Sequence, residues 1–196
     1  MEPVNVFIDS DSVLCDLVSF WCAEYNKRYS DNLTPKEFGG TMDGVHEVVK
    51  PECGKAVYDM LKEPGMFLKP EPYSNAMPVL NAMCMDPRIK CFITTAYSGE
   101  PEPAADKVRW YLKHAPFFPK KNIVLIDHKE LLHGAVLIDD GIKNIVSWCA
   151  ANPQGLGLLI NQDHNAGQET PRNSLRVDNI EAAYMELSAW LISERP

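Results

Sequence analysis

Five short apolar runs punctuate the chain: VNVFI at 4–8, IKCFIT at 89–94, NIVLI at 122–126, AVLID at 135–139 and GLGLLI at 155–160. Each is nearly continuous rather than alternating, the pattern of strands buried on both faces, and together they predict a parallel sheet of about five strands. Between them, apolar positions recur at helical spacing over 13–29, 76–85, 104–113, 142–151 and 178–193, with Pro78 tolerated in a first turn. Strand alternating with helix predicts a doubly wound α/β fold.

Two stretches break that rhythm. From Ser30 to Pro72 no strand pattern stands out, and Gly39, Gly40, Gly44, Pro51, Pro64 and Gly65 punctuate a helical or irregular segment. It reads as a small, mostly helical cap (30–72) inserted after the first strand and helix of a core formed by 1–29 and 73–196. The polar, turn-rich NQDHNAGQETPRNS (161–174) reads as a loop with freedom to move.

Composition narrows the class of partner. With 196 residues, 45% hydrophobic and 23% charged, the chain has ordinary globular proportions and room for one buried core. A net charge of −8 argues against a general grip on a phosphate backbone, so duplex nucleic acid is not an expected partner, although a local pocket can still hold one phosphate. No apolar run approaches the ~20 residues of a membrane span, and the first strand leaves no room for a signal peptide. The six cysteines include no Cys-x-x-Cys pair and read as reduced, packed thiols. A cytoplasmic protein is expected.

In an open parallel sheet, ligands bind beyond the carboxyl ends of the strands. Those ends carry Asp9 and Asp11, then Thr94 and Thr95, then Lys129 just after a strand, then Asp139 and Asp140. Two aspartates one residue apart repel each other, a cost that a cation or a reaction must justify. Carboxylates, a hydroxyl and an ammonium at adjacent strand ends suit a divalent cation such as Mg²⁺ and a phosphate, because hard oxygens favour the metal and lysine offers a point charge to a phosphoryl oxygen. Singly, each element has a plainer meaning: Asp-x-Asp as a turn or cap, Thr94 capping the next helix, Lys129 as a surface lysine, Asp139–Asp140 as a strand end. Their conjunction in this order points to chemistry.

The five histidines (His46, His114, His128, His133, His164) form no zinc signature and read as surface or core residues. There is no Gly-x-Gly-x-x-Gly, Walker loop or serine nucleophile elbow. Phe20 and Trp21 read as the core stripe of a helix.

FIDSDSV, ITT, Lys129 and LIDD follow the four motifs of the haloacid dehalogenase-like (HAD) phosphohydrolases, which this chain resembles. EPGMFLKPEPYSNAMPVLNAM (63–83), CFITTAY, the ten-residue step from Lys129 to Asp139, and VLIDD are similar to the small 5′(3′)-deoxyribonucleotidases, over nearly the whole chain. The resemblance implies a HAD-like core and hydrolysis of a nucleoside monophosphate, with Asp9 as nucleophile and Asp11 as general acid and base. It also implies Mg²⁺ held by Asp9, the carbonyl of Asp11 and Asp140. Phosphate would be bound by Ser10, Thr95, Ala96 and Lys129, with Asp139 orienting Lys129. Leu17, Phe67 and Lys107 would fall on the substrate side beneath a closing cap, and members of the family commonly form homodimers.

The departures bear on specificity. Ser12 stands where the family usually has glycine, Gly141 where an arginine commonly follows the paired aspartates, and Asp127 at another usually basic position. Aromatic base-contacting positions become Leu17, Gly40 and Thr41, leaving Phe67, with Phe38 as a neighbouring substitute. Fewer rings mean less stacking and more space, which opens the pocket to a base other than uracil or thymine types. The rival readings are the same chemistry on a sugar phosphate or other phosphomonoester, a catalytically silent nucleotide-binding protein, and phosphate removal from polynucleotide ends. Retention of both Asp9 and Asp11 speaks against the silent protein, and the acidic charge against the polynucleotide.

Overall fold

The computed structural model describes residues 2–40, 44–96 and 99–193. Its centre is β1 (Val4–Ile8), which pairs in parallel with β2 (Ile89–Thr95) on one side and β4 (Val136–Asp139) on the other. β3 (Ile123–Leu125) continues beyond β2, and β5 (Leu156–Ile160) and β6 (Ser174–Val177) continue beyond β4. The sheet order is β3-β2-β1-β4-β5-β6. Strand order reverses between β1 and β4, so a crevice opens at their carboxyl ends.

The sheet therefore has six strands, one more than the apolar runs predict. β6 pairs with one neighbour, and its sequence SLRV buries only its first and last residues, so it lacks the continuous apolar run that marks a doubly covered strand. It lies at the end of the segment expected to be a loop.

Strand pleat sends successive side chains to opposite faces. Val4, Val6 and Ile8 join the larger core with α5 (Ala76–Met85), α6 (Pro101–His114) and α8 (Ile180–Ser193), whereas Phe7, Leu137 and Leu159 pack against Ile145, Trp148 and Cys149 of α7 (Ile142–Ala151). The first helix, α1 (Leu17–Tyr29), begins four residues later than its apolar pattern suggests. Ser12, at φ 59°, and a bridge between Asp11 and Cys15 turn the chain first, and Asp16 caps the helix by accepting from the Ser19 N–H.

The segment after α1 holds α2 (Pro35–Gly39), α3 (Val45–Val48), α4 (Ala56–Asp59) and tight helical turns at Met60–Lys62 and Met66–Leu68. Its buried residues Phe38, Val45, Val57 and Met66 close around Trp21, Cys22 and Tyr25 of α1 in a cluster separate from the sheet cores. All six cysteines are free thiols. Among the described residues, no helix is long and apolar enough to cross a membrane.

Candidate active site

The carboxyl ends of β1, β2 and β4 and the turn after β3 bring together most of the residues singled out in the sequence. Lys129 opens the helical turn Lys129–Leu131, and its ammonium is almost wholly buried. It donates to Asp9 Oδ1 and, at 2.5 Å, to Asp139 Oδ2. Burial alone would lower the Lys129 pKa, but Asp139 and Asp9 outweigh it and hold the group above the usual lysine range. Lys129 is therefore a buried, charged tether between the first and fourth strands rather than a surface lysine.

Asp139 has both oxygens engaged. Oδ1 accepts from the Gly141 N–H (2.7 Å) and Asn144 Nδ2 (3.0 Å), and Oδ2 accepts from Lys129 and from Asn144 Nδ2 at 3.2 Å. A Cβ at Gly141 would stand 2.9 Å from Asn144 Nδ2 and 3.0 Å from Asp139 Oδ1, so glycine here leaves room for that contact.

Lys107, on α6, forms a second tether. Its ammonium donates to Asp11 Oδ2 (2.6 Å), Thr95 Oγ1 (2.9 Å) and the Ala96 carbonyl (3.2 Å), and lies 4.4 Å from the centre of the Phe67 ring. Thr95 thus faces the crevice. Thr94 faces away, but caps nothing: its buried hydroxyl has no partner among the described residues. Ser10 is fixed from the same helix, its Oγ accepting from the Tyr111 hydroxyl at 2.7 Å. Leu17 is buried at the start of α1.

Asp9, Asp139 and Asp140 place carboxylate oxygens within 4.8 Å of one another. Burial raises the Asp9 pKa well above the usual range; Lys129 opposes that rise, and Asp139, Asp140 and Asp11 add to it. Burial likewise raises Asp140, with His164 opposing. Crowded, desolvated carboxylates outnumbering their ammonium partners suit a hard divalent cation, which would relieve both repulsion and desolvation. Asp139, saturated by hydrogen bonds, would serve such a cation only as a support, which leaves Asp9 and Asp140 as the side chains with oxygens to offer.

One expectation fails here. His164 is a site residue: its Nε2 lies 3.0 Å from Asp140 Oδ2 and 3.3 Å from the Asp140 carbonyl. A lone histidine in a polar segment carries no spacing signal, so the sequence could not show this. Its segment is also tied to the site at Gln162 and Asn165. Asn165, fully buried, donates through Nδ2 to the carbonyls of Asp140 (2.8 Å) and Ile160 (2.7 Å), and Arg176 on β6 donates to Asn165 Oδ1 (2.9 Å) and its carbonyl (2.8 Å). Gln162 Nε2 donates to the Ser12 carbonyl at 2.7 Å.

The aromatic substitute also fails. Phe38 is fully buried, edge-on to Trp21 with ring centres 4.9 Å apart and 5.6 Å from Tyr25, so it is packing and not pocket lining. Phe67 does meet the crevice, through Lys107. Trp21 is core, as its helical position suggests, with Nε1 donating to the Val57 carbonyl. Thr41 lies outside the described residues, and Gly40 is the cap residue that follows α2. A cavity of about 240 Å³ adjoins the site, lined by Asp16, Ser19, Gly39, Tyr73, Gln162 and His164 among others.

The family described as "5′ nucleotidase, deoxy (Pyrimidine), cytosolic type C protein" matches residues 2–189. The 5′(3′)-deoxyribonucleotidase of Clostridium acetobutylicum is 32% identical over 170 residues, covering 86% of this chain and 87% of its own. That of Bacillus subtilis is 24% identical over 172 residues, covering 83% and 88%. Among solved structures, L-2-haloacid dehalogenase from Xanthobacter autotrophicus superposes with a TM-score of 0.58 at 12% identity, over 96% of this chain and 99% of that one. The HAD-hydrolase YfnB from Bacillus subtilis, bound to magnesium, also gives 0.58 at 12% identity, over 95% and 99%. At such identities the two structures establish the shared fold.

Proposed function

Because this chain belongs to the 5′ nucleotidase, deoxy (Pyrimidine), cytosolic type C family and is a HAD-type nucleotide phosphomonoesterase, we propose that it acts on deoxyribonucleoside monophosphates through a phosphoenzyme formed on Asp9. The observation that supports this most is the meeting of Asp9, Asp139 and Asp140 with Lys129 at the point where strand order reverses.

Lys129 takes one oxygen of Asp9, and the other has no hydrogen bond among the described residues. That carboxylate attacks phosphorus, forming an O–P bond as the ester P–O bond breaks. Asp11 gives its proton to the leaving nucleoside oxygen. A water then attacks the aspartyl-phosphate, Asp11 takes back a proton, and phosphate leaves with Asp9 restored. Lys107, which donates to Asp11 Oδ2, gives up that bond when a phosphoryl oxygen competes for its N–H groups, and so frees the Asp11 carboxyl to reach the leaving oxygen. Thr95, Lys129, and the backbone at Ser10 and Ala96 hold the phosphoryl oxygens, and Asp139 orients Lys129.

Asp9, the Asp11 carbonyl and Asp140 would hold Mg²⁺, which supplies charge neutralisation at the transferring phosphoryl group. Residues 30–72 act as a cap over a core of 1–29 and 73–196, with Phe67 against the nucleoside and Leu17 at the pocket's edge. A homodimer, a cytoplasmic location and no duplex nucleic acid partner complete the proposal.

The test is phosphate release from 5′- and 3′-, ribo- and deoxyribonucleoside monophosphates and from sugar phosphates, with and without Mg²⁺, with Asp9→Asn in parallel. Metal-dependent turnover of deoxyribonucleotides that disappears in Asp9→Asn is the expected result. Turnover confined to sugar phosphates would overturn the substrate, and undiminished Asp9→Asn would overturn the mechanism.

A further inference from the structure

α6 carries two pairs of side chains at i, i+4 spacing, and each pair grips a different part of the molecule. Lys107 and Tyr111 reach the strand ends, at Asp11, Thr95 and Ser10. Asp106 and Trp110 reach the segment that returns from the inserted helices. Asp106 Oδ2 accepts from the Gly65 N–H at 2.5 Å, and Trp110 Nε1 donates to the Pro70 carbonyl at 2.7 Å. Phe67 lies between those two anchor points, with its ring beside the Lys107 ammonium.

The Asp106 contact lies away from solvent. The residue is 2% exposed, and its other oxygen is held by Arg109 at 3.1 Å. A buried carboxylate is costly unless its hydrogen bonds repay the lost hydration. Gly65 presents its N–H from φ 86°, in the left-handed region where glycine is at ease, and starts the turn that carries Phe67. Adjacent residues of one rigid helix thus fix Phe67 on one side and the Asp11 partner Lys107 on the other.

We propose that Asp106 is a positioning residue for substrate selection: it sets Phe67 at a fixed height above the phosphate site, so that nucleoside contact and phosphate contact are made together. The inference rests on the nucleotidase reading, but is separable from it. It assigns to Asp106 no contact with substrate and no proton transfer.

The test compares wild type, Asp106→Asn, Asp106→Ala and Trp110→Phe, all loaded with Mg²⁺. KM for the preferred deoxyribonucleotide reads the nucleoside contact, and competitive inhibition by inorganic phosphate reads the strand ends alone. In Asp106→Ala, KM should rise roughly tenfold or more, as for loss of a hydrogen bond to a charged group, with phosphate inhibition unchanged. Asp106→Asn should recover most of the loss, because its amide oxygen can still accept from Gly65. Trp110→Phe, which keeps the ring and removes the Pro70 bond, should shift KM in the same direction by a smaller factor, and it serves if Asp106→Ala fails to fold. Equal losses in nucleotide and phosphate affinity, no rescue by asparagine, or unmoved KM in both Asp106→Asn and Trp110→Phe with Asp106→Ala also unmoved or unfolded, would overturn the proposal. Wild-type protein that turns over no nucleotide would overturn the nucleotidase reading first, and this inference with it.

Discussion

The strand ends and the cluster around Phe38 are both buried, yet they are held by different forces. At the strand ends, Lys129 and Lys107 tie Asp9, Asp11 and Asp139 together from several elements that are far apart in sequence. Around Phe38, rings meet rings: Trp21 edge-on, Tyr25 tilted, and Tyr25 stacked on Tyr29 at 5.2 Å. Its polar atoms sit at the margin of this packing, such as the Tyr25 hydroxyl donating to Asp31 at 2.6 Å while it accepts from the Lys50 N–H. Burial and the Asp31 bond push the Tyr25 pKa up to about 12. Charge pairs of the first kind are poor glue, because desolvation cancels much of the attraction, whereas packed rings gain area and contact. One region is thus held by paired charges and the other by packed rings.

Lys129→Met breaks the first region most sharply. It leaves Asp9 and Asp139 buried without their shared cation, which should cost about 3–5 kcal/mol of stability. With Lys129 in the phosphoryl-binding role proposed above, removing its preorganised charge should also lower kcat by roughly 10²–10³-fold. Denaturant unfolding and steady-state turnover of the folded fraction measure the two losses separately. Phe38→Ala is the counterpart in the second region. The cavity should cost about 3–5 kcal/mol, while phosphate inhibition of the folded fraction stays at the wild-type value. A loss of phosphate affinity in the folded fraction of Phe38→Ala would erase the distinction between the regions.

Gly141→Ala sharpens the comparison on a smaller scale. Its new Cβ meets Asn144 and Asp139, and overpacking of this kind should cost about 1–3 kcal/mol. Because Asp139 also grips Lys129, turnover should fall along with stability, whereas an alanine placed elsewhere at the start of a helix would leave turnover intact. Thermal melts and kcat measured on one preparation decide this.

The contrast also explains what could be read from the chain. Asp9, Thr95 and Asp139 end continuous apolar runs, so their arrival at one edge of a parallel sheet follows from local pattern plus the right-handed crossover rule. β6 and the ties around Asp140 do not follow. Asn165 meets Arg176 because β5 and β6 pair in one particular register, and neither residue type signals that register. Phe38 shows the opposite limit: its ring type suits a base pocket, but which way it faces is set by Trp21 and Tyr25. Asp106 was invisible for the same reason, since its partner is a backbone N–H 41 residues away.

The smallest effect comes from a group outside both regions. His114 ends α6 with its ring 4.7 Å from Trp110, and its Nε2 is buried with no partner among the described residues. Burial, aided by Lys113, lowers its pKa in the folded chain, and Glu71 opposes this weakly. Between that lowered value and the ordinary histidine value near ~6.5, the unfolded chain binds the extra proton and the folded chain does not. Stability therefore falls as pH drops through this window, and the full loss is present below the folded-state pKa. His114→Phe keeps a ring against Trp110 and removes the titration. Melting temperatures of the two proteins between pH 8 and pH 5, in about 0.15 M salt, should diverge on the acid side, with the wild type losing more. Parallel curves would mean that the imidazole finds water or rotates when protonated, and that the end of α6 is looser than the anchors at Asp106 and Trp110 upstream of it.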